Sequence, residues 1–239
     1  MILNKIDTAL VKAVALPGGE AQIWQGNLNL SLEEAELLVR LLPEDEQERA
    51  GRFHFKADAN RYLAGRWFLR QVLGSYLEIA PGSILFQYSP SGKPALTQAC
   101  NPQGLQFNLT HSLALALVAV ARKCRIGIDL EFVRAIPDTE LIVERFFTPK
   151  EQTYWRDAAI EQKNQAFFTL WTAKEAYLKA LGLGLGRSPE TVTIPLPAQD
   201  AVIRTWQEDG TAWHLENFSP AEGYLAAVVV EEDEEKFQV

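Results

Sequence analysis

The hexapeptide Ile126-Gly-Ile-Asp-Leu-Glu131 constrains this chain more than any other segment. Its aliphatic residues fall at every second position, and only an extended strand puts positions two apart on one face. Ile126, Ile128 and Leu130 then point to a core, and Asp129 and Glu131 project together from the opposite face. Two neighbouring carboxylates repel unless a cation or a proton sits between them. An all-oxygen donor pair of this kind suits magnesium or manganese better than zinc. The alternative is an exposed strand edge whose acids face solvent.

Around this strand the pattern predicts a mixed fold. Ile23–Trp24 reads as a strand after the Pro17-Gly18-Gly19 turn. Ser31-Leu-Glu-Glu34 is a capping box opening a helix that Pro43 ends near Leu42. Further helices are expected over Glu44–Phe55 and Ala57–Leu77, the latter stopping before Ala80-Pro81-Gly82. Ile84–Tyr88 alternates as a strand, followed by the turn-rich loop Ser89-Pro-Ser-Gly-Lys-Pro94. Phe107–Leu109 and Leu113–Val120 read as strands, with Ile126–Glu131 pairing to the latter across the polar turn Arg122–Arg125. Thr148-Pro-Lys-Glu151 starts another helix. Phe167, Leu170, Trp171, Lys174, Leu178 and Leu181 recur at helical spacing until Gly182, and Tyr224–Val230 closes the chain as a strand. The order is that of an α+β protein in two halves, 1–123 and 124–239, without a low-complexity linker.

Composition narrows the function classes. The chain has 239 residues, 47% of them hydrophobic and 23% charged, enough for a sizeable core in one or two domains. No apolar run approaches the roughly 20 residues that span a bilayer, and Met1–Leu10 lacks the apolar core of a signal peptide. Its two cysteines, Cys100 and Cys124, form no metal or redox spacing, so a soluble protein of the reducing cytoplasm is expected. A net charge of −8 disfavours general nucleic-acid binding. Part of that charge is the run Glu231–Glu235, read as a solvated tail. Against it, Arg49, Arg52, Lys56, Arg61, Arg66 and Arg70 form a cationic stretch with Asp58 as its acidic counterweight. The stretch is either a solvated helix face or a local site for a polyanionic small molecule.

Three further segments carry polar chemistry. In Trp171-Thr-Ala-Lys-Glu-Ala-Tyr-Leu-Lys179, Glu175 and Lys179 are neighbours on one helical face, the spacing of an ordinary ion pair. Lys174 falls on the apolar stripe, where a lysine either snorkels outward or faces an anion in a pocket. Phe107-Asn-Leu-Thr-His-Ser112 sets a histidine beside hydroxyls at a strand end, without the elbow motif of a serine hydrolase. Gly92-Lys-Pro94 is not a phosphate-binding P-loop, and Gly182, Gly184 and Gly186 lack the preceding strand of a dinucleotide fingerprint. Together the segments offer acids for a metal and cations for phosphates, a combination suited to pyrophosphate chemistry.

In this order, Gly92-Lys-Pro94, the Phe107–Ser112 segment, the Ile126–Glu131 hexapeptide, the Trp171–Lys179 segment and the Gly182–Gly186 run resemble the 4'-phosphopantetheinyl transferases. The likeness is to the larger, monomeric type associated with surfactin, peptide, polyketide and lipid synthesis, and it covers nearly the whole chain. It implies a pseudo-twofold pair of similar α+β halves with coenzyme A in the cleft between them. Asp129, Glu131 and Glu175 match the family's magnesium ligands, with manganese as a substitute. Lys174 and Lys179 match phosphate-contacting lysines, Lys93 the lysine near the adenine end, and Thr110 with His111 the residues that hold coenzyme phosphates. Arg49 and Arg61 fall where the family binds the 3'-phosphate. Another usually basic position, three residues before Arg49, is Glu46 here, which implies a looser grip on that phosphate or more reliance on Arg61 and His111.

The implied reaction is attack of a carrier-protein serine on the β-phosphate of coenzyme A, releasing adenosine 3',5'-bisphosphate. Glu175, directly or through a water, is its expected base; Lys179 would steady the leaving phosphate and Lys174 the pyrophosphate. The expected partner is an apo acyl carrier protein or a peptidyl or polyketide carrier domain, docking near Ile136–Phe147, whose apolar residues core packing would equally explain. A metal-dependent phosphodiester hydrolase and a non-catalytic coenzyme A-binding protein are the rival readings.

Overall fold

The computed structural model describes residues 8–16, 19–89, 92–182, 188–197 and 203–232. The first part of the chain builds β1 (Thr8–Leu16), β2 (Gly19–Asn27), α1 (Leu32–Leu41), α2 (Glu44–Gly51) and α3 (Lys56–Leu77). It continues with a short ribbon of β3 (Phe86–Tyr88) and β4 (Pro94–Leu96), then β5 (Leu105–Ser112) and β6 (Leu115–Arg122). An antiparallel sheet forms in the order β1-β2-β6-β5. The expected capping box opens α1: Ser31 Oγ accepts from Glu34 N at 3.2 Å, and the Glu34 carboxylate accepts from Ser31 N at 2.7 Å. Phe68, Leu69 and Leu73 of α3 pack with Phe107, Val118 and Val120 of the sheet, removing one sheet face from water.

The second part repeats the plan. It runs through β7 (Ile126–Phe132), α4 (Thr139–Phe146), α5 (Pro149–Asp157), α6 (Lys163–Leu181), β8 (Ile203–Glu208), β9 (Thr211–Phe218) and β10 (Tyr224–Glu231). Its antiparallel sheet has the order β7-β10-β9-β8. In each part an opening strand is followed by helices, and a hairpin then returns its last strand beside the first: β2-β6-β5 in one, β7-β10-β9 in the other. Each sheet carries a long helix, α3 or α6, on one face. The architecture is α+β in two similar halves.

An apolar cluster joins the sheets: Ala21, Ile23, Leu117 and Ala119 meet Ile126, Ile128, Leu130 and Val228. The aliphatic face of the hexapeptide is therefore spent on this seam, and its acids point the other way. Alongside, the edges of β5 and β7 are bridged by side chains. Asn108 Oδ1 accepts from Ile128 N at 2.9 Å, and Ser112 Oγ accepts from Phe132 N at 3.1 Å.

Several expectations are corrected. β6 and β7 do not form a hairpin: β6 has β2 and β5 on its two edges, and β7 pairs with β10. With both of its edges occupied, β6 can meet the next strand only through its face. Helix α2 ends at Gly51 rather than Phe55, which instead caps α3. The Phe107–Ser112 segment lies wholly within β5, and its tight turn to β6 puts Leu113 at φ 52°. Glu231 is no solvated acid: its carboxylate pairs with the Arg125 guanidinium at 2.7 Å. Residues 1–7, Pro17-Gly18, Gly184 and Gly186, and residues 233–235 of the acidic run lie outside the described residues. No helix among the described residues is long and apolar enough to cross a membrane.

Candidate active site

The site begins with a glycine. A Cβ at Gly127 would stand 2.0 Å from Ala176 O and 2.4 Å from Ala180 N, well inside van der Waals contact, so only glycine lets α6 lie this closely on β7. That approach brings Glu175 and Lys179 of α6 over the acidic face of β7. Lys179 Nζ lies 2.6 Å from Asp129 Oδ1 and 3.3 Å from Thr110 Oγ1 of the other half. The Thr110 hydroxyl also contacts Asp129 Oδ1, at 3.4 Å.

Asp129 is buried, and its second oxygen, Oδ2, has no hydrogen-bond partner among the described residues. A buried carboxylate oxygen left unpaired is costly. Glu131, on the same face, is held by Ser112, whose hydroxyl lies 3.2 Å from its Oε2. Burial and then the charge of Asp129 raise the pKa of Glu131, and the same two causes in the same order raise that of Glu175. The three carboxylates thus share one field that a cation would relieve. Their donor set, all carboxylate oxygen with one atom orphaned, fits a hard divalent ion. The set is poised rather than closed: among the described residues no three acid, imidazole or thiol side chains already surround one point.

Beside this cluster opens a cationic pocket in the N-terminal half, lined by Arg49, Arg61, Tyr62, Arg66, Tyr88, Phe107 and His111. The Arg49 guanidinium lies 5.7 Å from the Tyr62 ring centroid, and Arg61 pairs with Asp58 at 3.1 Å. Desolvation, then repulsion from Lys179 and Arg61, lowers the pKa of His111. Lys93 reaches across the halves, its ammonium donating to the backbone carbonyl of Lys179. Burial and the nearby Lys179 pull its pKa down to about 8. Such crowding of cations is relieved by an anion.

The structure gathers Asp129, Glu131, Glu175, Lys179 and Thr110 at one place, with His111, Arg61, Arg49 and Lys93 around it. It does not bring Lys174 there. Lys174 is fully buried, with Nζ 2.6 Å from Glu151 Oε2 and 2.7 Å from Val192 O. The expected pyrophosphate lysine is instead a core ion pair between α6 and α5, where Glu151 also accepts from Thr148 N in the capping box. Glu46 likewise does not face the pocket: its buried carboxylate takes charge-assisted hydrogen bonds from Arg66 and Arg70. Sequence reasoning passed over Tyr62 and Tyr88, and it noted the Ser112 hydroxyl without giving it a role. For Ser112 a signal existed, since it shares a strand face with Asn108 and Thr110.

Fold and site together place a cluster of acids beside a cationic pocket at the seam of two α+β halves, an arrangement suited to a phosphate-bearing anion. The comparisons with known proteins make that reading specific. Residues 125–229 match the family model of the 4'-phosphopantetheinyl transferase superfamily, and residues 27–123 match that of the 4'-phosphopantetheinyl transferase N-terminal region. The chain is 40% identical to the 4'-phosphopantetheinyl transferase HetI of Nostoc sp., over 91% of this chain and 90% of that protein. It is 30% identical to the mouse L-aminoadipate-semialdehyde dehydrogenase-phosphopantetheinyl transferase, over 81% of this chain and 68% of the relative. It is 28% identical to the Bacillus subtilis 4'-phosphopantetheinyl transferase ffp, over 83% and 86%. The chain belongs to the 4'-phosphopantetheinyl transferase superfamily. Its reaction is transfer of phosphopantetheine from coenzyme A to a carrier protein.

Proposed function

We propose that the transfer takes place at Asp129, Glu131 and Glu175 with a magnesium ion, or manganese in its stead, held by their carboxylates. The observation that carries this reading is the orphaned, buried Oδ2 of Asp129 beside two carboxylates whose protonation burial favours. When bound, the ion supplies positive charge against the pyrophosphate and the developing leaving group.

The chain's own residues divide the remaining work. Arg49 and Arg61 hold the 3'-phosphate at the N-terminal half (1–123), and Lys93 borders the adenine end. Thr110 and His111 orient the pyrophosphate against the acidic cluster of the C-terminal half (124–239). Glu175, directly or through a water, takes the proton of the carrier serine hydroxyl as its oxygen bonds to the β-phosphorus. The bond from that phosphorus to the bridging oxygen breaks, and adenosine 3',5'-bisphosphate leaves with its new charge facing Lys179. Lys174 has no direct part, since Glu151 holds its ammonium in the core.

The carrier protein docks along Ile136–Phe147. Val143 and Phe147 of this segment are buried core residues, whereas Leu141 is 64% exposed and Arg145 is also exposed. An apolar and a basic side chain on one short helix suit an acidic carrier helix around an apolar patch. Both halves of the cleft come from one chain, which supports action as a monomer, and the cytoplasm is the proposed compartment.

The test is incubation with coenzyme A, magnesium and apo-carrier proteins, read by intact mass. A mass gain on the carrier serine that chelator removes is expected. Asp129→Asn and Glu175→Gln should abolish it while the proteins still melt cooperatively. Near-normal turnover in either variant overturns the assignment.

A further inference from the structure

Ser112 stands outside the acidic cluster but touches it. Its side chain is buried in the seam where β5 meets β7, and two groups from β7 converge on its hydroxyl. Phe132 N donates to Oγ at 3.1 Å, and Glu131 Oε2 lies 3.2 Å from the same atom. A carboxylate oxygen only accepts, so the single hydroxyl proton is committed to Glu131 while the Phe132 amide occupies a lone pair. The hydroxyl rotor is thereby set by backbone on one side and directs its proton to the acid on the other.

This contact is part of a register. Asn108 receives Ile128 N and Ser112 receives Phe132 N, so residues four apart on β5 bind residues four apart on β7. Two sheet edges without a shared backbone ladder are aligned by these side chains. Ser112 is the bridge in that register that also ends on a carboxylate of the site. Glu131 shares its strand face with the like-charged Asp129, and a hydrogen bond from the other half holds it there. Among the described residues, Ser112 is the hydrogen-bond donor to its carboxylate.

We infer that Ser112 is a positioning residue of the transferase, holding the Glu131 carboxylate at the metal site from the opposite half of the molecule. The inference rests on the metal reading given above. Removing the hydroxyl frees Glu131 to swing away from Asp129 and leaves the Phe132 amide unpaired. Outer-shell donors of this kind are worth about 10- to 100-fold in metal affinity.

The experiment is titration of Mn2+ into the protein saturated with coenzyme A, followed by electron paramagnetic resonance of the free ion. Wild type, Ser112→Ala, Ser112→Thr and Glu131→Gln are compared, with thermal melts and metal-free coenzyme A binding alongside. Ser112→Ala is expected to bind Mn2+ about 10- to 100-fold more weakly, with coenzyme A affinity unchanged. Ser112→Thr, which keeps the hydroxyl, is expected to stay within about threefold of wild type on the same reasoning. Should Ser112→Ala fail to fold, Ser112→Cys, with its weak donor, must show the same loss. A folded Ala or Cys variant with wild-type Mn2+ affinity overturns the role of Ser112 alone. A wild-type protein that binds no Mn2+ overturns the metal reading and this inference together.

Discussion

Lys179 Nζ stands 2.6 Å from Asp129 Oδ1, joining α6 to the middle of β7 under Thr110 of the other half. The pair neutralises one oxygen of a buried carboxylate and leaves the other without a hydrogen-bond partner among the described residues. A lysine ammonium therefore serves as the resident counterion of Asp129.

Replacing Lys179 by Met should separate two effects. The metal-free protein is expected to lose about 1.5–3 kcal/mol, the usual worth of a charge-assisted hydrogen bond, measured by urea unfolding. Added magnesium should recover more stability in the variant than in wild type, because the ion then neutralises an otherwise bare carboxylate. Transfer to the carrier should fall by about 10²–10³-fold in kcat, as when a donor to developing charge is removed.

Gly127→Ala tests the approach of α6 to β7. Its new methyl would meet the Ala176 carbonyl at 2.0 Å, and backbone cannot yield as a side chain tip does. Overpacking of this sort costs about 1–3 kcal/mol, occasionally more. Folded Gly127→Ala should also transfer poorly, since the shift moves Glu175 and Lys179 away from Asp129. Wild-type turnover per folded molecule would show that the close approach is not required.

Lys93 predicts a pH dependence of stability. Its folded pKa is lowered to about 8 from the ordinary 10.5, so between those values the unfolded chain binds more protons than the folded one. By linkage, stability contributed by this group rises as pH increases through that window. Urea unfolding of wild type and Lys93→Gln at pH 7.5 and pH 9.5 checks it: wild type should gain relative to the variant at the higher pH.

Glu46 predicts a stability defect without a binding defect. Its carboxylate is 1% exposed and is the shared acceptor of Arg66 and Arg70. Breaking a buried pair by removing one partner costs about 3–5 kcal/mol, so Glu46→Gln should melt at a clearly lower temperature. The KM for coenzyme A of its folded fraction should stay near wild type. A weakened coenzyme A interaction at normal stability would return Glu46 to the pocket.

The elements whose signals are local were legible in the sequence. Ser31 with Glu34 opens α1, Thr148 with Glu151 opens α5, and Gly182 at φ 72° ends α6. In each case the partners lie within a few residues, so chain chemistry alone decides the outcome. The alternation of Ile126–Glu131 likewise determined that its acids share a face and its aliphatic residues a core. Which sheet that core belongs to was beyond its reach, because strand pairing depends on edges far away in the chain, and β6 was already taken by β2 and β5.

The cations show the same division. The spacing of α6 places Lys174 and Lys179 on different faces, but both faces are covered, one by β7 and the other by the α5 side of the core. When a helix is buried on two sides, periodicity says which residues travel together and not which side meets the ligand. Glu151 claims Lys174, Asp129 claims Lys179, and Arg66 and Arg70 claim Glu46. The sequence by itself determined the paired acids and the family's order of motifs. Only the tertiary structure decided which charges are partners in the core and which line the pocket. The physical reason is that a buried charge must be satisfied by whatever the fold brings within about 3 Å, however distant in sequence.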